Sequence, residues 1–243
     1  MATSKTSLPH TPRRLAAALL SVALGLPTGA LAQAQSEAQA GDLGSCGNLR
    51  NAYGPFDYRT DRQQLVIVEA YHFNSAVEQL IRGTTGSIGG DLDYTLRAYP
   101  NHHRALSAVS RYGEKVKSDF VPGATFSVEC YFIRAVNHRP DDPTVRMLYA
   151  IYMKGQQRLP DALKQLNYAE TLAADNGYTQ YNIGMVYMEL GDTESALRQA
   201  HKALALGFTR PELKDRLIAA RKWQEPSAAS AAAAVPASAS APR

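Results

Sequence analysis

A fixed interval separates small residues in the second half of this chain. Ala162 is matched by Ala196, Ala169 by Ala203 and Leu172 by Leu206, each pair 34 positions apart. A period of this length holds one helix, a turn and a second helix. Such a unit cannot bury its apolar face alone and has to stack on a neighbour. The recurring positions are small because paired helices approach closely only where side chains are short, and a larger residue there overpacks the contact. The constraint is therefore an all-α array of antiparallel helix pairs.

The second copy reads Tyr181-Asn182-Ile183-Gly184-Met185-Val186-Tyr187, then Leu190-Gly191-Asp192, then Ala196, Ala200, Ala203 and Leu204. It closely resembles the tetratricopeptide consensus. The resemblance makes Gly184 and Ala196 the helix-pair contact, Tyr187 the aromatic knob and Gly191-Asp192 the start of the turn. Glycine suits the end of a helix and aspartate the opening of a turn. In the first copy Ala150 stands at the Gly184 position, Leu166 at Ala200 and Gln157 at Gly191, with Pro160 in the first turn of its second helix. A third copy lies upstream. Ala135 is 34 before Ala169, Pro140 closes its second helix and Val128 takes the small position. Its first helix is expected over 101–113, followed by a link over 114–125 longer than the family's. The array is thus about three repeats plus a capping helix over 210–223, opened by Pro211. That cap carries Leu213, Leu217, Ile218 and Ala220 as an apolar stripe, with Trp223 closing the core.

The start of the chain reads as an export signal over 1–34. Lys5, Arg13 and Arg14 precede an apolar run from Leu15 to Leu26, and Ala30-Leu31-Ala32 and Ala32-Gln33-Ala34 are small-x-small cleavage sites. The run is short for a stable membrane span, and a retained anchor is the alternative. Leu43-Gly44-Ser45-Cys46 looks a little like a lipidation box but lies far from the run. Removing the three basic residues of the signal from the 26 in the chain leaves 23 against 22 acidic. A near-neutral mature protein offers no argument for nucleic acid or anionic lipid. No later segment is apolar for long enough to cross a membrane. The expected location is the periplasm or the medium.

Residues 35–100 are expected as an irregular extension packed on the repeats. Tyr53-Gly54-Pro55-Phe56-Asp57-Tyr58 reads as extended chain over an apolar surface. Leu65-Val66-Ile67-Val68 looks like a strand by its β-branching, or else extended chain or a helix start. Ser75 with Glu78 forms a capping box for a short helix before Gly83, and 83–90 reads as a glycine and threonine loop. Cys46 and Cys130 are the only cysteines. In an exported protein they most simply form one disulfide, the alternative being two unpaired buried thiols. Residues 224–243 are alanine, serine and proline with almost no charge, a composition expected to be a disordered tail.

Motifs for chemistry are missing. The chain has no GxGxxG, Gly-Lys-Ser/Thr, CxxCH, Gly-x-Ser-x-Gly or HExxH. His102 and His103 are adjacent and point about 100° apart on a helix, unlike a chelating i, i+4 pair. No cofactor, metal or enzymatic activity is expected. The alternative is a ligand, metal or enzymatic site built by residues 51–104 against the first repeat, drawing on His72, His103, Glu69, Asp91 and Asp93.

The tetratricopeptide resemblance implies a scaffold or adaptor that binds a peptide or helix in a concave groove lined by the first helix of each repeat. By register that groove offers Met147, Ile151 and Lys154, then Tyr178, Tyr181, Met185 and Met188. A methionine-rich and aromatic surface suits adaptable binding of apolar segments. The implied partner is an envelope protein or peptide, and a second copy of the chain or the N-terminal segment is the other candidate to cover the groove. Residues 54–60 and 93–102 also resemble two stretches shared by small exported proteobacterial repeat proteins, a likeness that carries no function.

Overall fold

The computed structural model describes residues 43–226, so the expected export signal and nearly all of the expected tail lie outside the described residues. Ten helices and no strand are present among them, after a short 3-10 turn at Gly44–Cys46. They are α1 (Arg62–His72), α2 (Ser75–Glu78), α3 (Ile88–Ala98), α4 (His103–Val116), α5 (Val128–His138), α6 (Pro143–Gly155), α7 (Leu159–Leu172), α8 (Gly177–Leu190), α9 (Thr193–Ala205) and α10 (Glu212–Ala219).

The second half is built from antiparallel helix pairs. At the start of α8, Gly177 faces Ala203, Leu206 and Phe208, at or just past the end of α9. Further along, Gly184 faces Ala196 and Gln199. Positions advance along α8 as they retreat along α9. The same holds for α6 and α7, where Arg146 near the start of one reaches Gln165 and Tyr168 near the end of the other. Ala150, Ala162, Ala169, Gly184, Ala196 and Ala203, the small residues that recur in the sequence, are all buried at these contacts. A β-carbon on Gly184 would stand 3.0 Å from that of Gln199 and 2.5 Å from Leu213 Cδ2.

Polar side chains start most of the helices. Asn74, Ser87, His102, Ser127, Asp142, Asn176 and Asp192 each accept a backbone N–H of the first turn. Each such cap stabilises by about 1 kcal/mol. The short helix at 75–78 is capped by Asn74, one residue before the expected Ser75. The capping helix is shorter than expected, and within its expected stripe Leu213 and Leu217 are buried while Ile218 and Ala220 are exposed.

The extension is not irregular. It carries α1, α2 and α3, and Phe73, Val77, Leu92 and Leu96 belong to the same buried core as the repeat helices. The stretch that looks like a strand lies inside α1. Leu65 and Val68, three apart, face inward, whereas Val66 and Ile67 are 69 % and 57 % exposed. Burial on one helical face overrides the β-branched preference. Tyr53, Phe56 and Tyr58 pack on Leu65, Val68, Ala98 and Tyr99, so the aromatic stretch does cover an apolar surface. Ile88, Gly89 and Gly90, expected in a loop, form the first turn of α3.

Cys46 and Cys130 are joined in a disulfide that ties the 3-10 turn to α5. Beside it the buried Arg134 donates from Nη1 to the carbonyls of Cys46 and Asn48, and its guanidinium lies 4.3 Å over the Phe126 ring. Burial depresses its pKa.

Two stability results are expected. The Cys46–Cys130 pair closes a loop with a sequence separation of 84; by the chain-entropy account, Cys46→Ser with Cys130→Ser lowers unfolding free energy by about 4–5 kcal/mol in urea. Gln157, at the Gly191 position, is left-handed at φ 59, as Gly191 is at φ 83. Gln157→Gly relieves this strain, and urea denaturation should show a gain of about 0.5–1 kcal/mol.

Candidate functional site

The first helices of the repeats present the residues that the groove reading names, and the structure divides them. Met147 and Tyr181 are 6 % and 5 % exposed and lie in the core, so neither is available to a partner. Tyr181 is covered from the C-terminal side. Its ring meets Phe208 at 5.1 Å, and its hydroxyl donates to Glu212 Oε2 on α10 at 3.0 Å. Ile151 and Tyr178 are 37 % and 57 % exposed, Lys154 is exposed, and Met185 and Met188 are half-buried against the core. In the 34-residue register Ile151 stands level with Met185 and Lys154 with Met188. What is left is an apolar, methionine-bearing row on α6 and α8 with Lys154 at its edge.

The residues of 51–104 do converge, but on one another. Asn101, fully buried between α3 and α4, donates from Nδ2 to Asp57 Oδ1 at 2.7 Å and to Asp142 Oδ2 at 3.1 Å, and accepts from the Tyr58 N–H. Asp142 also accepts from His103 Nε2 at 2.8 Å and caps α6 through the amides of Thr144 and Val145. Asp57 is paired with Arg59, and Arg139 Nε lies 2.7 Å from its Oδ2. Burial raises both carboxyl pKa values. Hydrogen bonds outweigh it, from Arg59 and Asn101 on Asp57 and from His103 and Asn101 on Asp142, and both groups sit below the usual carboxylate range.

Two histidine clusters complete this region. Asp91 accepts from the amides of Thr84 and Thr85, from Thr85 Oγ1 at 2.5 Å and faces His72 Nδ1 at 3.0 Å. This is not a nucleophilic relay. The threonine hydroxyl donates straight to the carboxylate, and the same ring nitrogen faces both. The cluster closes the 83–87 loop onto α3. His102 is fully buried, accepts the Ala105 N–H at Nδ1 and so donates from Nε2 to Glu69. Its two bonds fix the neutral tautomer, and burial lowers its pKa against the opposing pull of Glu69. His138 is depressed by burial as well, with its Nε2 donating to the Phe56 carbonyl. Among the described residues no group of three or more His, Cys, Asp or Glu is placed to hold a metal ion.

These shifts set a pH profile. His102 and His138 have folded pKa values below their ordinary 6.5, so stability is full above about pH 6.5 and falls as the unfolded chain takes protons that the fold refuses. Asp57, Asp91, Asp142 and Glu69 are also depressed, so a second loss sets in below about pH 4. Tyr99 is pushed up to about 12 by burial and the nearby Asp61, which removes stability as pH rises from about 10 to 12. Urea unfolding between pH 7.5 and 3 should resolve the two acid stages. His102→Asn, which keeps a capping acceptor, should shrink the first. Compared with known proteins, the chain matches no family model, no curated protein and no solved structure.

Proposed function

We propose that this chain is an exported interaction module of the tetratricopeptide kind, which holds an apolar polypeptide segment, extended or helical, against the first helices of its repeats. The observation that carries this reading is the row of Ile151, Tyr178, Met185 and Met188, left exposed or half-buried on α6 and α8. Apolar side chains level with one another across stacked helices form a continuous strip, and methionine lets such a strip adapt to different partners. Two further observations support it. The 34-residue recurrence coincides with two antiparallel helix pairs packed through small residues. The disulfide suits an oxidising compartment such as the periplasm, and no described helix is long and apolar enough to cross a membrane.

The test uses exposed positions only, so that loss of binding is not loss of fold. Ile151→Glu with Tyr178→Glu should leave the thermal midpoint within a few degrees of wild type, since surface substitutions usually change stability by less than about 0.5 kcal/mol. In cross-linking from the cell envelope, a protein retained by wild type and at least about tenfold depleted with the double variant supports the groove. Equal capture by both sinks it. Concentration-dependent mass in sedimentation, abolished in the double variant, assigns the strip to a second copy instead.

A further inference from the structure

Three departures from the repeat pattern meet at one place. Counted from the helix caps His102, Asp142 and Asn176, the eleventh residue of α4, α6 and α8 is Gly113, Met153 and Tyr187. Where α8 carries a large aromatic, α4 carries no side chain. The link after α4 runs from 117 to 127, whereas three residues follow α6 and two follow α8. The last turn of α6 ends on Gly155, a second missing side chain opposite α4. Between them lies a pocket of about 360 Å³, separate from the apolar row of α6 and α8. Its far wall is held in place, because Thr125 of the link binds Asp93 and Asp119 accepts the Tyr152 hydroxyl at 2.6 Å.

The lining is polar and carries an unspent group. Ser110 is only 8 % exposed, and its hydroxyl has no hydrogen-bond partner among the described residues although it lines the cavity. The hydroxyl is not shut away from solvent but opens on the cavity, where a ligand atom within reach could bond it. Glu114, one helical turn further on, makes no side-chain hydrogen bond or ion pair among the described residues. The charges that face the space are Glu114 and Asp119 against Lys117. The C-terminal ends of α4 and α6 both border it, and each adds partial negative charge. The Tyr152 hydroxyl, raised in pKa by burial and by Asp119, stays protonated and adds none. The balance favours a positive occupant.

We propose that this pocket binds a cationic group, an ammonium or guanidinium at the end of a chain of amino-acid side-chain length, with the Ser110 hydroxyl and the Glu114 carboxylate as its acceptors. Such a group comes either from a lysine or arginine of a polypeptide or from a free polyamine. The site does not depend on the apolar row.

The experiment is a titration of the disulfide-bonded protein, following the amide resonances of Gly113 and Gly155. The probes are acetyl-Gly-Arg-Gly-amide, acetyl-Gly-Lys-Gly-amide, spermidine and, as the anionic control, acetyl-Gly-Glu-Gly-amide. Saturable shifts below about 10 mM with the cationic probes and none with the glutamate peptide are expected. Glu114→Gln, which breaks no contact of the fold, should weaken binding by about tenfold or more, and Lys117→Gln should tighten it. Tighter binding of spermidine than of either peptide assigns the free polyamine, and the reverse assigns a chain-borne side chain. Tyr178→Glu, on α8, should bind the probes as wild type does, so this reading and the groove reading fail separately. Absence of shifts, equal response to the glutamate peptide, or unchanged affinity in Glu114→Gln overturns the proposal.

Discussion

A single buried amide joins the parts of this molecule. Asn101 divides its two N–H groups between Asp57 and Asp142 and takes the Tyr58 amide on its oxygen, so both donors and the oxygen are engaged. Each partner belongs to a different segment. Asp57 lies on the aromatic strap, Asn101 between α3 and α4, and Asp142 caps α6. Two buried carboxylates this close repel, and Arg59 and Arg139 offset their charge while His103 hydrogen-bonds Asp142. Removing either arginine leaves buried carboxylate charge less compensated, which costs more than the pair itself stabilises. The strap and the repeats are therefore coupled electrostatically as well as by the shared core.

That coupling gives physical content to two stretches that stand out in the sequence. Residues 54–60 supply Asp57 and Arg59, and residues 93–102 supply Asn101, Asp93 and the cap His102. They are 43 positions apart at Tyr58 and Asn101, yet three hydrogen bonds connect them: Tyr58 N–H to Asn101, Asn101 to Asp57, and Phe56 N–H to the Ala98 carbonyl. Their polar residues read equally well as a ligand site before the fold is known. With the fold in view they are mutual partners, which argues for a structural latch. A latch of this kind also explains why the extension is helical, since α1 and α3 need fixed ends to bury Leu65, Val68, Ala98 and Tyr99.

The helix pairs could be read from the chain because their contacts demand small residues at one period, and the demand is visible in Gly184, Ala196 and Ala203 themselves. Most caps were equally readable, since Ser127, Asp142, Asn176 and Asp192 are residue types that favour helix starts. His102 is a less regular cap, for only a neutral tautomer with a free ring nitrogen can accept the Ala105 N–H. Nothing in the sequence marks Arg134, which is buried over Phe126 and bound to carbonyls of the disulfide turn. The groove was legible only in part. Register sets which way Met147 and Tyr181 point from their own helices but carries nothing about what comes to lie over them. For Tyr181 that is Phe208 and Glu212, outside its repeat.

The same reasoning locates where an array like this departs from pure packing. A repeat that followed its pattern throughout would place a large side chain at position 113 and a short turn after α4. Neither is present. At 113 a β-carbon would stand 3.0 Å from Val128 Cγ2 and 3.1 Å from the Ser118 carbonyl oxygen, so the close approach of α5 and the link favours the glycine. The longer link adds closure entropy, which the buried Val121 and the bonds from Thr125 to Asp93 offset. Asp93 and Thr125 then hold that link firmly enough to keep the resulting space open. The space bordered by Gly113, Gly155 and the link, with the Ser110 hydroxyl open to it, is therefore where the array leaves its pattern without leaving its core unpacked.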